Sequence, residues 1–357
     1  MRAWLLAAIG LGVVSAAEID WQEESRTLVA EGGGYGRIAR IDGERWMCAY
    51  SRRGAIQVRF TEDGGLHWGV EQEVGREEGA GLTNAEVLVR KNGEIWCFFN
   101  RRPREGSSDP FAVGFFRSAD GGRKWGKPEV IYEAGKEFEN GCWEPAALEL
   151  ASGEVQVYFA NEGPYRDSNE QEISLLRTQN GGRSWSEAET VAFRSGHRDG
   201  MPVPVALPEV NGIAVAIEDN GLRGTFKPVI LGTSAERGGW KDGVVDSASF
   251  HRWRALKEPL AARAYAGAPY LRWVRKGVTV LSFQLAENGE MRDSRMAVCL
   301  GNGKAQDFET PSFPFPEGRG QLWNALFVVD AHTVMAITEA SLDGKRGIWT
   351  IEGTVRP

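Results

Sequence analysis

An eight-residue phrase occurs three times in this chain and constrains its fold more than any other feature. Each copy has a hydroxyl residue, then Asp or Asn, two glycines and a closing Trp, in the segments Thr61–Trp68, Ser118–Trp125 and Thr178–Trp185. Their first residues lie 57 and 60 positions apart, and similarity at such a period indicates a repeat architecture. Segment 234–240 is a degenerate fourth copy.

The phrase is typical of a tight turn between two strands. An Asp or Asn side chain accepts hydrogen bonds from the backbone amides ahead of it, and the paired glycines adopt angles that a Cβ would obstruct. The closing Trp can pack beside the turn and hold it to its sheet. The phrase resembles the Asp-box, or BNR repeat, of sialidases and related β-propellers. That resemblance implies structural turns on the rim, away from an active site.

A fainter repeat of six β-hairpins underlies the first. Each unit has an apolar strand, a turn that is usually of the Asn-Gly type, and a second apolar strand, which is the pattern of a hairpin. The paired strands are predicted at 35–41 with 46–50, 84–89 with 95–99, 143–148 with 155–159, 201–206 with 213–217, 268–273 with 278–283 and 323–328 with 333–337. Two further strands complete each unit, as at 172–176 and 189–193 in the third. We therefore predict an all-β, six-bladed β-propeller with four-stranded blades; a two-sheet sandwich, the alternative, gives no reason for this phrase at this period.

The first 17 residues predict a secretory signal peptide, with one positive charge, an apolar run of about a dozen residues and small residues before Glu18. The run is too short to span a bilayer comfortably, and no other segment approaches the required length. We expect residues 18–357 to form a single propeller domain that is secreted or periplasmic and monomeric. The net charge of −7 argues against nucleic acid as a partner.

The four cysteines are expected to be buried free thiols. Cys48 and Cys97 occupy equivalent places in two repeats, which in neighbouring blades are generally too far apart to bridge. The spacing of Cys and His residues does not suggest zinc. The sequence predicts no metal and no cofactor.

The repeat alignment predicts where a functional site would lie. In a propeller the first strand of every blade lines the central channel, and the channel entrance and the ends of the second strands form the functional face. At these places the candidate catalytic residues are Glu144 and Glu218, and the candidate substrate-binding residues are Arg37, Asn84, Glu86, Arg102, Trp143, Glu162, Arg198, Asp199, Tyr265, Gln284, Trp323 and Asn324.

This mixture of side chains suits an oligosaccharide or polysaccharide. Aromatic faces stack on sugar C–H surfaces, Arg and amide groups bind hydroxyls, and two carboxylates can perform acid–base and nucleophilic work at an acetal carbon. Taken singly, a glutamate at a strand end is usually a solvated surface residue, and Arg37 could simply pair with a neighbouring carboxylate. Convergence on one axis favours ligand contact instead.

Five short segments together resemble the exo-arabinanases of glycoside hydrolase family 93. They are 144–145, 169–173, 198–202, 267–270 and 280–284. The resemblance implies a retaining enzyme that acts on the end of α-1,5-linked arabinan with two glutamates, one opening the third blade and one ending the second strand of the fourth. Those places match Glu144, assigned as nucleophile, and Glu218, assigned as general acid/base, with exchanged roles left open. A retaining pair lies about 5–5.5 Å apart, and the acid/base partner has a raised pKa.

Two alternatives remain open. In a sialidase-like hydrolase of acidic sugars, Arg37 would be the first of three arginines, with Arg263 and Arg319 converging on it. However, Ala39 stands where that family has a Pro, and the sixth blade offers Gln321–Asn324 in place of a late nucleophilic Tyr. In the second alternative the propeller is a non-catalytic glycan-binding module, because a fold does not dictate a function.

Overall fold

The computed structural model describes residues 18–221, 224–315 and 320–356, so the predicted signal peptide lies outside the described residues. Within these ranges the strands form six four-stranded antiparallel sheets. Each innermost strand contacts the innermost strands of both neighbouring sheets, and the last of them contacts the first. The predicted six-bladed β-propeller is therefore confirmed.

Strands are numbered in chain order. The first three blades contain β2 (Gly34–Asp42), β3 (Arg45–Arg52), β4 (Ala55–Thr61), β5 (Gln72–Gly75), β6 (Ala80–Val89), β7 (Ile95–Pro103), β8 (Ala112–Ser118), β9 (Glu129–Glu133), β10 (Cys142–Glu149), β11 (Val155–Asn161), β12 (Glu172–Thr178) and β13 (Glu189–Ala192). Blades four to six contain β14 (Asp199–Leu207), β15 (Gly212–Asp219), β16 (Lys227–Ser234), β17 (Arg252–Arg254), β18 (Tyr265–Arg275), β19 (Val278–Ala286), β20 (Arg295–Gly301), β21 (Glu309–Ser312), β22 (Leu322–Val328), β23 (Thr333–Leu342), β24 (Lys345–Val355) and β1 (Ile19–Glu31). Four short 3-10 turns lie between strands, at Phe138–Asn140, Pro208–Val210, Glu236–Gly238 and Met291–Asp293.

The ring is closed by the N-terminal strand. β1 pairs antiparallel with β24, so the sixth blade takes its outer strand from the start of the described chain and its three inner strands from the end. This pairing joins distant parts of the chain in one sheet and so holds the ring closed at the seam. The hairpin alignment did not predict it.

The three copies of the phrase form the predicted turns, each between the third and fourth strands of blades one to three. In the first, Thr61 Oγ1 accepts the Gly65 N–H at 2.9 Å and Asp63 Oδ1 accepts the His67 N–H at 3.0 Å. The bonds recur in the second and third copies. We call these the repeated turns.

Apolar cores lie between adjacent blades rather than within one central cluster. The core between blades two and three, for example, packs Trp96 and Phe98 with Val157 and Phe159. All four cysteines are buried and free, as predicted. Among the described residues, none of the helices has the length and apolar character needed to cross a bilayer.

The two sides of the propeller differ in what they carry. The repeated turns lie on the same side as the hairpins that join first and second strands, and Gly64 N donates to Glu44 O there. Innermost strands begin, and second strands end, on the other side, which we call the mouth side. The candidate residues named above therefore gather at the mouth side.

Candidate active site

Each of the six innermost strands carries one residue in the left-handed region of backbone space. These residues have φ between 49° and 60° and interrupt the pairing with the second strand at the same place in every blade: Tyr35, Asn84, Glu144, Met201, Ala268 and Trp323. Positive φ is uncommon for residues other than glycine, and bulges re-aim side chains. The positive φ and the bulge recur at the same place in all six blades. The bulge is therefore a regular feature of the blade. We call these six residues the axial ring.

The axial ring has an apolar side and a polar side. Tyr35, Met201 and Ala268 form one buried cluster with Trp323 packed against it, although the four belong to four blades. Their contact shows that the side chains converge on the axis. The remaining members, Asn84 and Glu144, come from blades two and three. Glu144 is therefore the only carboxylate in the axial ring, and it keeps partial solvent exposure.

A second set of equivalent positions lies on the second strands, one step outward. Each pairs with the residue that precedes the axial-ring residue: Ser51, Asn100, Ala160, Glu218, Gln284 and Glu339. Several members reach the next blade. Glu218 Oε2 accepts the Ala268 N–H at 2.9 Å, and Gln284 Oε1 accepts the Trp323 N–H. These bonds fix Glu218 beside the ring.

Two glycines make room for the Glu218 carboxylate. A Cβ added at Gly200 would lie 3.1 Å from Glu218 Oε1, and one added at Gly267 would lie 2.5 Å from Glu218 Oε2. Neither glycine has a positive φ, so what they provide is space. The carboxylate thus rests between the openings of β14 and β18.

Burial and a second carboxylate keep Glu144 protonated at neutral pH. Loss of hydration and then the nearby Glu218 raise its pKa to about 8, and Arg102 opposes that shift. Burial also raises the pKa of Glu218 to about 7, while the Ala268 N–H and Arg198 lower it. Two such carboxyls titrate as a pair. Near neutrality the pair holds about one proton, which is the state required of a nucleophile and an acid working together.

A chain of polar contacts surrounds Glu144 on the mouth side. Arg102 donates to Asn84 Oδ1 at 2.8 Å, and its guanidinium lies 5.0 Å from the centroid of the Trp143 ring. Trp143 Nε1 donates to Glu162 Oε2 at 3.0 Å, and Glu162 also accepts from Arg198. These five residues, all predicted as substrate-binding, are brought together by the fold.

Tyr265 lies near Glu144 and Glu218, on blade five. Its hydroxyl accepts from Gln284 Nε2 at 3.3 Å, and burial, Glu218 and Glu144 all act to raise its pKa. The phenol therefore stays protonated and can donate a hydrogen bond. Gln284 is fully buried and supports Tyr265 and Trp323 from behind.

Arg37 and Glu86 lie deeper in the channel than predicted. The Arg37 guanidinium lies 3.8 Å from the centroid of the Tyr35 ring and 4.8 Å from that of Tyr270, and its Nε is 3.3 Å from Glu86 Oε2. Tyr270 Oη lies 3.3 Å from the same Glu86 oxygen. Arg37 and Glu86 each lie on a first strand, two residues past the axial-ring residue of that strand. Their side chains therefore pair with each other beneath the ring. We call Arg37, Glu86 and Tyr270 the channel plug.

The prediction for Asp199 needs a correction. Its carboxylate is buried and takes hydrogen bonds from Arg194 at 2.8 Å and Arg252 at 3.1 Å, and Asp219 shares both arginines. Successive residues of a strand face opposite sides. Asp199 and Asp219 therefore point away from the side on which Gly200 and Glu218 meet. The four side chains form an internal ion-pair cluster.

Asn324 is also placed differently from the prediction. It follows the axial-ring residue Trp323, and its buried amide oxygen accepts from Thr338 Oγ1 at 2.8 Å within blade six. Trp323 itself keeps partial exposure and packs against Tyr35, with ring centroids 6.1 Å apart.

The alignment also missed Tyr35, Met201 and Ala268 as ring members. A signal for the register was available, because a Pro directly follows the ring residue in blades three, four and five, at Pro145, Pro202 and Pro269. Pro is tolerated at bulges, where no ladder bond is lost. Within the described ranges, no group of three or more His, Cys, Asp or Glu side chains is arranged to hold a metal ion.

Comparison with known proteins bears on the fold. No protein-family model and no curated protein matches the chain. One similar solved structure is a Dyadobacter fermentans protein of unknown function, with a TM-score of 0.72, 14% identity, and coverage of 94% of this chain and 100% of that one. Another is the family 93 α-L-arabinofuranosidase of Fusarium graminearum in complex with arabinobiose. It has a TM-score of 0.69 and 15% identity, and the match covers 94% of this chain and 97% of that one. A Hadza microbial sialidase has a TM-score of 0.63 and 15% identity, and the match covers 91% of this chain and 66% of that one. The chain thus has the six-bladed propeller fold of the family 93 arabinofuranosidases and of sialidases, the fold that its sequence resemblance predicted.

Proposed function

We propose that this protein is a retaining exo-glycoside hydrolase that acts on α-L-arabinofuranosyl chains of the arabinan type. The observation that carries the proposal is the pairing of Glu144 and Glu218 at the mouth side. Both are partly exposed and have raised pKa values, and the charge of Glu218 is one cause of the raised pKa of Glu144. The likeness to an arabinofuranosidase solved with arabinobiose supports this choice of sugar.

In this proposal Glu144 is the nucleophile and Glu218 the general acid/base. Glu144 projects from the innermost strand toward the axis, with Arg102 and Arg198 both lowering its pKa. Glu218 protonates the leaving oxygen while the Glu144 carboxylate attacks the anomeric carbon, giving a covalent glycosyl-enzyme. Glu218 then takes a proton from water as that water displaces Glu144 from the sugar. In the free protein Glu144 has the higher pKa, about 8 against about 7 for Glu218, which by itself favours the exchanged roles.

Hydrolysis of debranched arabinan tests the proposal, with product stereochemistry followed by NMR. Glu144→Gln and Glu218→Gln should each abolish turnover. Glu339→Gln is the matched control, because Glu339 holds the position of Glu218 in blade six and pairs with Arg346 at 2.6 Å. Turnover that survives both catalytic substitutions would remove the basis of the proposal.

Azide distinguishes the two roles. With an aryl α-L-arabinofuranoside, azide should rescue the acid/base variant and give a glycosyl azide of retained configuration. Rescue of the nucleophile variant gives the inverted azide instead. Retained product from Glu144→Gly would exchange the assignments.

The positions of the arginines do not favour the alternative function, a sialidase-like hydrolase of acidic sugars. Arg37 is committed to Glu86 and stacked between Tyr35 and Tyr270, and Arg263 is exposed before β18. Arg319 lies outside the described residues. Release of sialic acid from sialyllactose would support that alternative. Secretion through residues 1–17 stays a prediction, checked by the N-terminal sequence of exported protein.

A further inference from the structure

An exposed aromatic ring stands on the mouth side next to the site. Phe138 lies in the segment between β9 and β10, which runs from the outer strand of blade two to the innermost strand of blade three. Its surface is 62% exposed. Its ring centroid is 4.8 Å from that of Trp143 and 6.1 Å from that of Phe111. The ring is therefore supported by two buried aromatic side chains and open to solvent elsewhere.

Backbone bonds hold the segment that carries Phe138. Gly135 N donates to Asn140 O at 2.8 Å, which closes the loop on itself. Asn140 Nδ2 donates to Tyr165 O at 3.3 Å, and Glu162 N donates to Gly141 O at 2.9 Å. The loop is thus closed on itself around Phe138 and tied to blade three just after it, at Asn140 and Gly141. These bonds hold the exposed Phe138 ring in place beside the site.

Phe138 is continuous with the candidate active site through Trp143. The Arg102 guanidinium lies over the Trp143 ring, and Trp143 Nε1 donates to Glu162, so the indole contacts two residues of the polar group around Glu144. Trp143 itself is only 6% exposed, so it offers a ligand far less surface than Phe138 does. Phe138 is the member of this aromatic cluster that a ligand can reach.

The channel plug decides which part of a substrate would reach Phe138. Arg37, Glu86 and Tyr270 occupy the channel beneath the axial ring. A chain whose end is bound at Glu144 therefore cannot continue through the propeller, and its remaining sugars must leave across the mouth side. We propose that Phe138 is a platform for a sugar ring of the leaving chain, one or more units beyond the cleaved bond. The inference rests on the proposed function.

The chemistry of the platform fits a neutral furanose or pyranose chain. A sugar presents C–H groups on a ring face, and the exposed phenyl face covers them without needing a charge. We take the contact between two aromatic side chains, about 0.5–1.5 kcal/mol, as the scale for this ring–sugar contact, which is equivalent to about 3- to 10-fold in affinity.

Dependence on chain length tests the platform. We would measure kcat/KM on α-1,5-linked arabinotriose and arabinohexaose for the parent protein, Phe138→Ala and Phe138→Trp. The ratio of hexaose to triose should fall about 3- to 10-fold in Phe138→Ala and be kept in Phe138→Trp. Phe250→Ala is the matched control, since Phe250 is 84% exposed and lies between β16 and β17, on the side away from the mouth. It should leave the ratio unchanged.

Two failures are distinguishable. If the parent cleaves both oligosaccharides and Phe138→Ala keeps the parental ratio, the platform is wrong and the proposed function stands. If the parent neither cleaves the oligosaccharides nor binds arabinohexaose by calorimetry, both proposals fall. Equal binding of arabinohexaose to Glu144→Gln with and without Phe138→Ala would also overturn the platform.

Discussion

The Glu218 carboxylate lies directly against the backbone of Gly267 in the next blade, close to the Tyr265 hydroxyl. A Cβ at Gly267 would stand 2.5 Å from Glu218 Oε2 and 2.6 Å from Tyr265 Cζ, closer than real Cβ contacts come. The space that glycine leaves is therefore filled by two groups of the candidate site. The backbone does not require glycine here, because the φ of Gly267 is one that any residue can adopt. What requires it is the space taken by the Glu218 carboxylate and the Tyr265 side chain.

Gly267→Ala should damage the site while leaving the propeller folded. The added methyl group must displace Glu218 or Tyr265, and misplacing a catalytic group by about 1 Å can cost roughly 100-fold in rate. We expect kcat on an arabino-oligosaccharide to fall about 10- to 100-fold, with an unchanged circular dichroism spectrum. Gly126→Ala is the control, because its Cβ would meet Arg117 O at an ordinary 3.7 Å on the other side of the molecule. Equal activity of the two variants would contradict the packing argument.

The rate should depend on pH as a narrow bell. The reaction needs one carboxyl ionised and the other protonated, and the pair titrates with pKa values of about 7 and about 8. Below the lower value both carboxyls are protonated and there is no nucleophile. Above the higher value both are ionised and there is no acid. A profile of kcat/KM from pH 5 to 10 checks this, and a flat profile across that range would argue against the pair.

Glu144 should make the protein less stable as pH rises. Its pKa is about 8 in the folded protein against an ordinary value of 4.5, so between these values the folded state holds a proton that the unfolded state has released. Stability is therefore lost as pH rises from about 4.5 to about 8. Glu144→Gln should remove this loss and gain about 1–3 kcal/mol at pH 8 relative to pH 5, a range reduced because the carboxyl keeps some solvent contact.

Urea unfolding at the two pH values measures that gain. Glu144→Asp is the matched control, because it keeps a titratable carboxyl on the same strand and should keep much of the pH dependence. A Glu144→Gln variant with the same pH dependence as the parent would show that the folded-state pKa is not raised.

The fold could be predicted from the sequence because its signals are local. The phrase Thr61–Trp68 and its copies contain their own hydrogen-bond donors and acceptors, and the Asn92-Gly93 type of turn joins strands that neighbour each other in the chain. The pairing of β1 with β24 could not be predicted in this way. It joins Ile19 to Val355, and the short-range sequence pattern of either strand does not identify the other strand as its partner.

The site was predicted less completely because it depends on which way a strand faces. Glu218 and Asp219 are neighbours in sequence and both end an apolar strand, yet one lies beside the axial ring and the other joins the buried cluster with Asp199. Their opposite directions follow from the pleat of the strand, and which of the two reaches the ring depends on the register of the second strand with the bulge in the innermost strand. That bulge appears in the sequence only as a Pro after the ring residue in three blades. Arg37 was placed in the right channel but at the wrong depth for the same reason.

Asp199→Asn should therefore cost stability and leave substrate affinity intact. Asp199 is 1% exposed and shares Arg194 and Arg252 with Asp219, and removing one partner from a buried ion cluster leaves charge uncompensated. We expect a loss of about 2–4 kcal/mol in urea unfolding, with KM on an arabino-oligosaccharide within about twofold of the parent, a difference of under half a kcal/mol. Glu309→Gln, which breaks the exposed pair with Lys257, should cost under about 1 kcal/mol. A large rise in KM with parental stability would return Asp199 to the substrate-binding residues.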